Sequence, residues 1–198
     1  MRVRHTSWLW LVALSLVAGI AHATATYDDV IELDGARSDA QFRIKAVWLL
    51  GVHGYFTSVG GRVQINHANG LAMVDARIQA NAVRMNLRGY EDWVKSAEFF
   101  DVAAHPEIRF VSNPFPMQRL QDGGALPGTL TLRGISASVQ FRLEAASCAQ
   151  PGYTCAIVAN AAIQRSSFGM RSRLGTLGDK VQLSFEAYLK PSALQSSR

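Results

Sequence analysis

Three histidines follow residue 24, and histidine is the side chain that most often transfers protons or binds metal near neutral pH. His53, His67 and His105 lie in unrelated segments and form no HxH, HxxxH or HExxH pattern. No serine stands in a GxSxG nucleophile motif, and no glycine-rich phosphate loop is present. The adjacent acidic pairs Asp28-Asp29 and Glu91-Asp92 are expected to be exposed. These residue types predict neither a catalytic site nor a metal site.

Alternation of apolar and polar residues with a period of two dominates the chain after residue 24 and predicts β-strands. Each strand has one apolar and one polar face, which is typical of antiparallel sheets. About eight such strands must close into a barrel or pack as a two-sheet sandwich, so the fold class is all-β and antiparallel. We predict that nine large residues of the apolar faces form the wall of the interior: Phe42, Ile44, Val63, Ile78, Phe110, Leu132, Phe141, Ile163 and Phe185.

Small residues also occupy inward positions, among them Ala46, Ala76, Ala159, Ala161 and Ala187. The interior of an eight-stranded barrel is wide enough for side chains or for one small ligand. If the alanines leave space, an elongated apolar ligand gains about 0.8 kcal/mol for each CH₂ group that it buries. If the alanines match large neighbours, the core is filled. Both interpretations stay open at this point.

One segment, residues 89–105, breaks the alternation. Trp93, Ala97 and Phe100 have helical spacing, and Pro106 prevents continuation, so we predict a short helix at about residues 90–101, across one open end of the β-structure. If the interior holds an amphiphilic ligand, Arg171 or Arg173 is the predicted partner of its polar or anionic head group. The remaining predicted mouth or lid residues are apolar: Trp93, Phe99, Phe100, Phe168 and Met170. For the helix aromatics Trp93, Phe99 and Phe100, the alternative is that they only pack against the barrel and form no lid.

The first 23 residues have the pattern of a secretory signal peptide. Arg2 and Arg4 precede an apolar stretch, Trp8–Ile20, and the sequence Ala21-His22-Ala23 predicts cleavage after Ala23. The apolar stretch is too short to span a membrane core of about 30 Å, so no stable membrane insertion is expected. Cleavage leaves one domain, residues 24–198, and lowers the formal net charge from +5 to +3. No basic cluster predicts binding to nucleic acid.

Two cysteines, Cys148 and Cys155, enclose a Pro-Gly turn signal. We predict a disulfide that closes a hairpin-like loop, which would contribute roughly 2–3 kcal/mol in the chain-entropy model. Two free thiols are the alternative. The spacing does not fit a catalytic CxxC motif or a metal site.

Three longer motifs occur in a fixed order along the chain: WVKSAEFFDVAAHPEIRFVS at residues 93–112, GTLTLRGISASVQFRLE at 128–144, and RSSFGM at 165–170 followed by GDKVQLSFE at 178–186. They resemble the YceI-like family of exported polyisoprenoid-binding proteins. A looser similarity covers residues 42–63, and the resemblance as a whole spans about residues 27–189.

The resemblance implies an eight-stranded, lipocalin-like antiparallel barrel with an extended hydrophobic cavity. It also implies a non-enzymatic carrier of isoprenoid, quinone-type or other long-chain amphiphilic lipids in the periplasm, with no cofactor besides the bound lipid. Ser167 stands where the family usually has Asp, and Glu91-Asp92-Trp93 stands where it often has Asp-x-His. These departures bear on head-group preference.

Three functional hypotheses result. The first is the lipid-binding protein just described, acting as a monomer or as a homodimer. The second is a filled barrel that serves as an interaction or stress-accessory module without a lipid. The third is an enzyme on the same barrel, which requires a buried polar cluster, for instance around His53.

Overall fold

Twelve antiparallel strand segments form a single sheet in the computed structural model, which describes residues 26–46, 51–87 and 89–191. The predicted signal peptide, residues 1–23, lies outside the described residues. The strands are β1 Asp29–Glu32, β2 Asp39–Ala46, β3 Gly51–Phe56, β4 Val59–Asn66, β5 Leu71–Gln79, β6 Val83–Met85, β7 Glu107–Ser112, β8 Phe115–Pro116, β9 Gly124–Leu132, β10 Ile135–Leu143, β11 Ile157–Gln164 and β12 Leu177–Ala187. The α-helices are α1 Tyr90–Lys95 and α2 Arg119–Asp122.

Several of these segments are parts of longer, bent strands. Only residues 57–58 separate β3 from β4, and one 3₁₀ turn, Ala80–Ala82, separates β5 from β6. The bent strand β3–β4 pairs along its length with the bent strand β5–β6, from Gly54 opposite Met85 to Asn66 opposite Leu71. Likewise, β1 and β2 follow each other along the opposite edge of β4 and β3.

The bent strands close the sheet into a ring. Around the ring, β1–β2 pairs with β3–β4, then β5–β6, β7, β9, β10, β11 and β12 follow, and β12 pairs again with β2. The prediction of an all-β antiparallel barrel is confirmed. The segment count is twelve rather than eight, because bends divide three of the eight long strands and β8 is an added two-residue segment.

The helix at the barrel end is shorter than predicted, since α1 ends at Lys95 instead of continuing to residue 101. Ser96 adopts an extended conformation, and its backbone N–H and its hydroxyl group both donate to the carbonyl oxygen of Trp93. Such a bond satisfies a carbonyl left free at the last helical turn and stops the helix. A turn after Ser96 then brings Phe100 back toward Val94, whose carbonyl accepts the Phe100 N–H at 3.0 Å.

The two ends of the barrel differ. Helix α1 and the loop between β11 and β12 lie at one end, which we call the mouth. At the other end lie β8, α2 and the loop between β10 and β11. That loop contains the disulfide between Cys148 and Cys155, which confirms the predicted pairing.

An acidic side chain is buried on the outer face of the barrel. Asp75 of β5 is only 3% exposed, because arginine side chains from neighbouring strands cover it. Arg109 donates two hydrogen bonds to it, Nε to Oδ1 at 2.7 Å and Nη2 to Oδ2 at 3.0 Å, and Arg77 donates a third at 3.2 Å. These bonds, those from Arg109 above all, hold the pKa of Asp75 below its ordinary value of 3.8.

Replacing Asp75 with asparagine is expected to lower the free energy of unfolding at pH 7 by about 2 kcal/mol, because the amide has no negative charge and presents an NH₂ donor to the arginines in place of one acceptor oxygen. Because the pKa of Asp75 is lowered by folding, its contribution is complete above pH 3.8 and disappears as the pH falls through the folded-state value. Urea unfolding of wild type and D75N, measured from pH 7 to below pH 3.8, should therefore show a smaller decrease in the free energy of unfolding for D75N. The exposed Asp122→Asn is the control, and equal acid sensitivity of D75N and wild type would contradict the expectation.

Candidate functional site

A cavity of about 350 Å³ occupies the mouth half of the barrel. The period-two alternation turns the apolar face of each strand inward, so the strand part of the lining is formed by side chains from β2, β3, β5, β6, β7, β9, β11 and β12. The core described here is therefore hollow, in contrast to the filled-barrel interpretation.

The nine predicted wall residues are all inside the barrel, but they divide between two chambers. Six of them line the large cavity: Phe42, Ile44, Ile78, Leu132, Ile163 and Phe185. Val63, Phe110 and Phe141 instead line a smaller apolar chamber of about 70 Å³, which Phe185 also touches. Their role in ligand binding stays a prediction.

Phe110, Phe141 and Phe185 form a row of contacting rings. The ring centroids of Phe110 and Phe141 are 4.8 Å apart, and those of Phe141 and Phe185 are 5.4 Å apart, both in edge-to-face geometry. Gly128 makes room for this row, because a Cβ atom there would lie 2.6 Å from Cζ of Phe110. The row thus separates the large cavity from the small chamber at the other end.

Aromatic residues from α1 and the turn after it cover part of the mouth. Phe100 packs between Phe42 and Phe56, with ring centroids 5.6 and 5.5 Å away. The ring centroids of Trp93 and Phe99 are 4.4 Å apart. All three aromatic residues predicted here, Trp93, Phe99 and Phe100, line the large cavity. The packing of Phe100 anchors the segment to the barrel wall.

Of the other predicted mouth residues, Met170 and Arg173 line the large cavity, while Phe168 and Arg171 do not. Phe168 is fully buried in the core because it ends a 3₁₀ turn, Arg165–Phe168, that folds it inward. Arg171 is exposed. The guanidinium carbon of Arg173 lies 5.2 Å from the centroid of the Trp93 ring, and its Nε lies 4.0 Å from Oε2 of Glu98. Arg173 is thus the predicted head-group arginine that reaches the cavity.

Sequence reasoning missed a second cavity-lining arginine, Arg165, which is only 1% exposed. Its Nη1 donates to the carbonyl of Met170 at 2.7 Å, its Nε to that of Gly178 at 2.9 Å, and its Nη2 to that of Leu177 at 3.0 Å. Burial lowers the pKa of the Arg165 guanidinium from its ordinary value. The alternation of β11 contained the signal, since Arg165 follows the inward residue Ile163 by two positions.

Asp179 holds the turn that carries Arg165. Its two carboxylate oxygens accept the backbone N–H of Ser166 at 2.8 Å and the Ser166 hydroxyl at 2.7 Å. The bond from the Ser166 hydroxyl is the main reason that the pKa of Asp179 lies below its ordinary value. The ionised carboxylate therefore fixes the start of the 3₁₀ turn and, with it, the position of the guanidinium at the mouth.

The lining offers little for catalysis. Among the described residues, no aspartate, glutamate, histidine or cysteine lines the large cavity, and no group of three such residues is placed to hold a metal ion. His53 lies on β3 outside this lining, and its backbone N–H donates to the side chain of Asn86. An apolar space with two arginines at its mouth suits an amphiphile with an apolar tail and a polar or anionic head.

The family model of the YceI-like domain matches residues 32–189 of the chain. The chain belongs to the YceI-like family. This YceI-like protein is 27% identical over 181 residues to UPF0312 protein ECA1782 of Pectobacterium atrosepticum, which covers 88% of this chain and 92% of the relative. It is also 27% identical over 175 residues to UPF0312 protein YE1254 of Yersinia enterocolitica, with coverage of 86% and 88%.

Solved structures share the fold of the YceI-like protein at lower identity. BcnA of Burkholderia cenocepacia superposes with a TM-score of 0.64 at 21% identity and covers 78% of this chain and 98% of its own. A polyisoprenoid binding domain from Saccharophagus degradans, implicated in plant cell wall breakdown, gives 0.63 at 14% identity, with coverage of 82% and 98%. These likenesses establish the fold. Within the described residues, no helix has the length and apolar content needed to cross a membrane.

Proposed function

We propose that this YceI-like protein is a non-enzymatic binding protein that carries a polyisoprenoid or another long-chain amphiphilic lipid in the periplasm. The observation that carries the proposal is the apolar cavity of about 350 Å³, which opens at a mouth where Arg165 and Arg173 provide positive charge. An apolar tail in the cavity gains about 0.8 kcal/mol for each buried CH₂, so affinity requires no covalent or catalytic step.

The orientation of the lipid follows from the distribution of charge. The three hydrogen bonds of Arg165 go to neutral carbonyl oxygens, and the nearby carboxylate of Asp179 offsets part of its positive charge. An anionic or strongly polar head near Arg165 and Arg173 would complement that charge, while the tail extends toward Phe185. The polyisoprenoid binding domain that shares this fold supports the same class of ligand.

The proposed location rests on the signal-peptide pattern of residues 1–23 and on the disulfide between Cys148 and Cys155. Disulfides persist in oxidising compartments such as the bacterial periplasm. The domain that remains after cleavage is residues 24–198.

Lipid that accompanies the protein during purification tests the proposal most directly. The full chain, exported with its own leader and purified from the periplasm, should carry lipid detectable by native mass spectrometry. The delipidated protein should then bind farnesol, geranylgeraniol and palmitic acid in fluorescence titrations. Absence of any bound lipid, together with no binding of these three probes, would overturn the proposal.

A further inference from the structure

We propose that Phe185 ends the tail-binding site, so that the barrel buries only about a dozen carbons of a lipid tail and keeps the rest of the tail out of the small chamber. This inference rests on the proposed function and adds the length of tail that is buried and the residue that sets this length.

Phe185 differs from the other two residues of the phenylalanine row. Phe141 is 2% exposed and Phe110 is 7% exposed, and both line only the small chamber. Phe185 is only partly buried, and it lines both the large cavity and the small chamber. It contacts Phe141 on one side, and Ala159 and Ala40 are opposite it on the neighbouring strands. Because both cross-strand neighbours are alanines, the Phe185 ring itself occupies the space between the chambers.

The size of the large cavity sets the length of the tail. A water-sized group occupies about 30 Å³ in a liquid, and a CH₂ group is of similar size, so about 350 Å³ holds roughly a dozen carbons. The small chamber, about 70 Å³, holds about two more. With the head at the mouth, carbons beyond about the twelfth meet Phe185 and gain no further burial. A longer chain must leave its excess carbons outside the mouth.

Saturated fatty acids of 8 to 20 carbons provide a ruler for this site. Their affinity for the delipidated wild-type protein, measured by displacement of a fluorescent fatty-acid probe below the micelle concentration, should rise about fourfold per CH₂ and level off near twelve carbons. In Phe185→Ala, the six vacated ring carbons and the small chamber should extend the rise to about 20 carbons. If the affinity levels off at the same fatty-acid length in wild type and in a folded Phe185→Ala variant, the inference is overturned.

Two further variants keep the test decisive. Leu183→Ala, two residues earlier on β12, enlarges only the large cavity, so it should leave the levelling length well short of that in Phe185→Ala. An equal shift in Leu183→Ala would contradict the role of Phe185. If Phe185→Ala does not fold, Phe185→Leu should still increase, by several carbons, the fatty-acid length at which the affinity levels off. An unchanged length would count against the inference. If wild type binds no fatty acid and no isoprenoid alcohol of any length, the proposed function fails, which is a different result from binding without a length limit.

Discussion

Replacing Ile163 with tryptophan is expected to lower the affinity for palmitic acid and for geranylgeraniol by at least a hundredfold. Ile163 lies on β11 and lines the large cavity beside Val181. The tryptophan side chain is larger than the isoleucine side chain by six heavy atoms, and each CH₂ group that it displaces from the cavity lowers the affinity of the ligand by about a factor of four. A few displaced groups are enough for the expected loss.

The same substitution should have a modest effect on folding. The ring enters existing empty space, so the free energy of unfolding should change by less than about 3 kcal/mol, the upper range for overpacking a filled core. Gln164→Trp is a matched control, because Gln164 is the next residue on β11 and is exposed. Titrations of both variants and thermal unfolding separate the two effects. Tight binding retained in a folded I163W protein would show that the ligand lies elsewhere.

Replacing Arg165 with methionine is expected to lower the free energy of unfolding by about 3–5 kcal/mol. Methionine fills much of the same volume but donates no hydrogen bond, so the carbonyls of Met170, Leu177 and Gly178 lose the bonds that the guanidinium makes. Hydrogen bonds from charged groups contribute about 1.5–3 kcal/mol each, and the losses in one network are not additive. For a domain of this size, the melting temperature should fall by about 10 °C or more.

Arg171→Met is the control for this substitution, since Arg171 is an exposed arginine in the same loop. It should change the melting temperature by no more than about 2 °C. Arg165→Lys retains the charge but cannot reach three carbonyls with one planar group, so it should restore only part of the stability. An R165M protein with the same melting temperature as wild type would show that the hydrogen bonds of Arg165 do not stabilise the mouth.

The barrel was predictable from the sequence because its determinants are local. Alternation with a period of two fixes which face of each strand turns inward, and all nine predicted wall residues do lie in the interior. The division into two chambers was not predictable, because it depends on how the rings of Phe110, Phe141 and Phe185 meet across strands that are far apart in sequence.

The mouth was predicted less completely than the wall, and the reason is irregular backbone. Helical spacing suggested a helix to residue 101, but the bonds from Ser96 to Trp93 end it at Lys95. Phe168 was predicted at the mouth, whereas a single 3₁₀ turn buries it and leaves Arg165 at the cavity. A turn of this kind has no periodicity from which side-chain direction can be derived.

Ring closure has a consequence for how the chain reaches its folded state. The ring closes where β2 pairs with β12, with Asp39 opposite Glu186. Strand β2, near the start of the chain, therefore completes its pairing only when β12, the last strand, is available. Contacts between residues so distant in sequence form slowly. The intervening chain must lose conformational entropy before these contacts form and stabilise the fold. Until β12 arrives, β2 and β11 each present an unpaired edge that can associate with other chains. Folding is thus completed only when nearly the whole polypeptide is present, and a nascent N-terminal portion has no finished barrel to adopt.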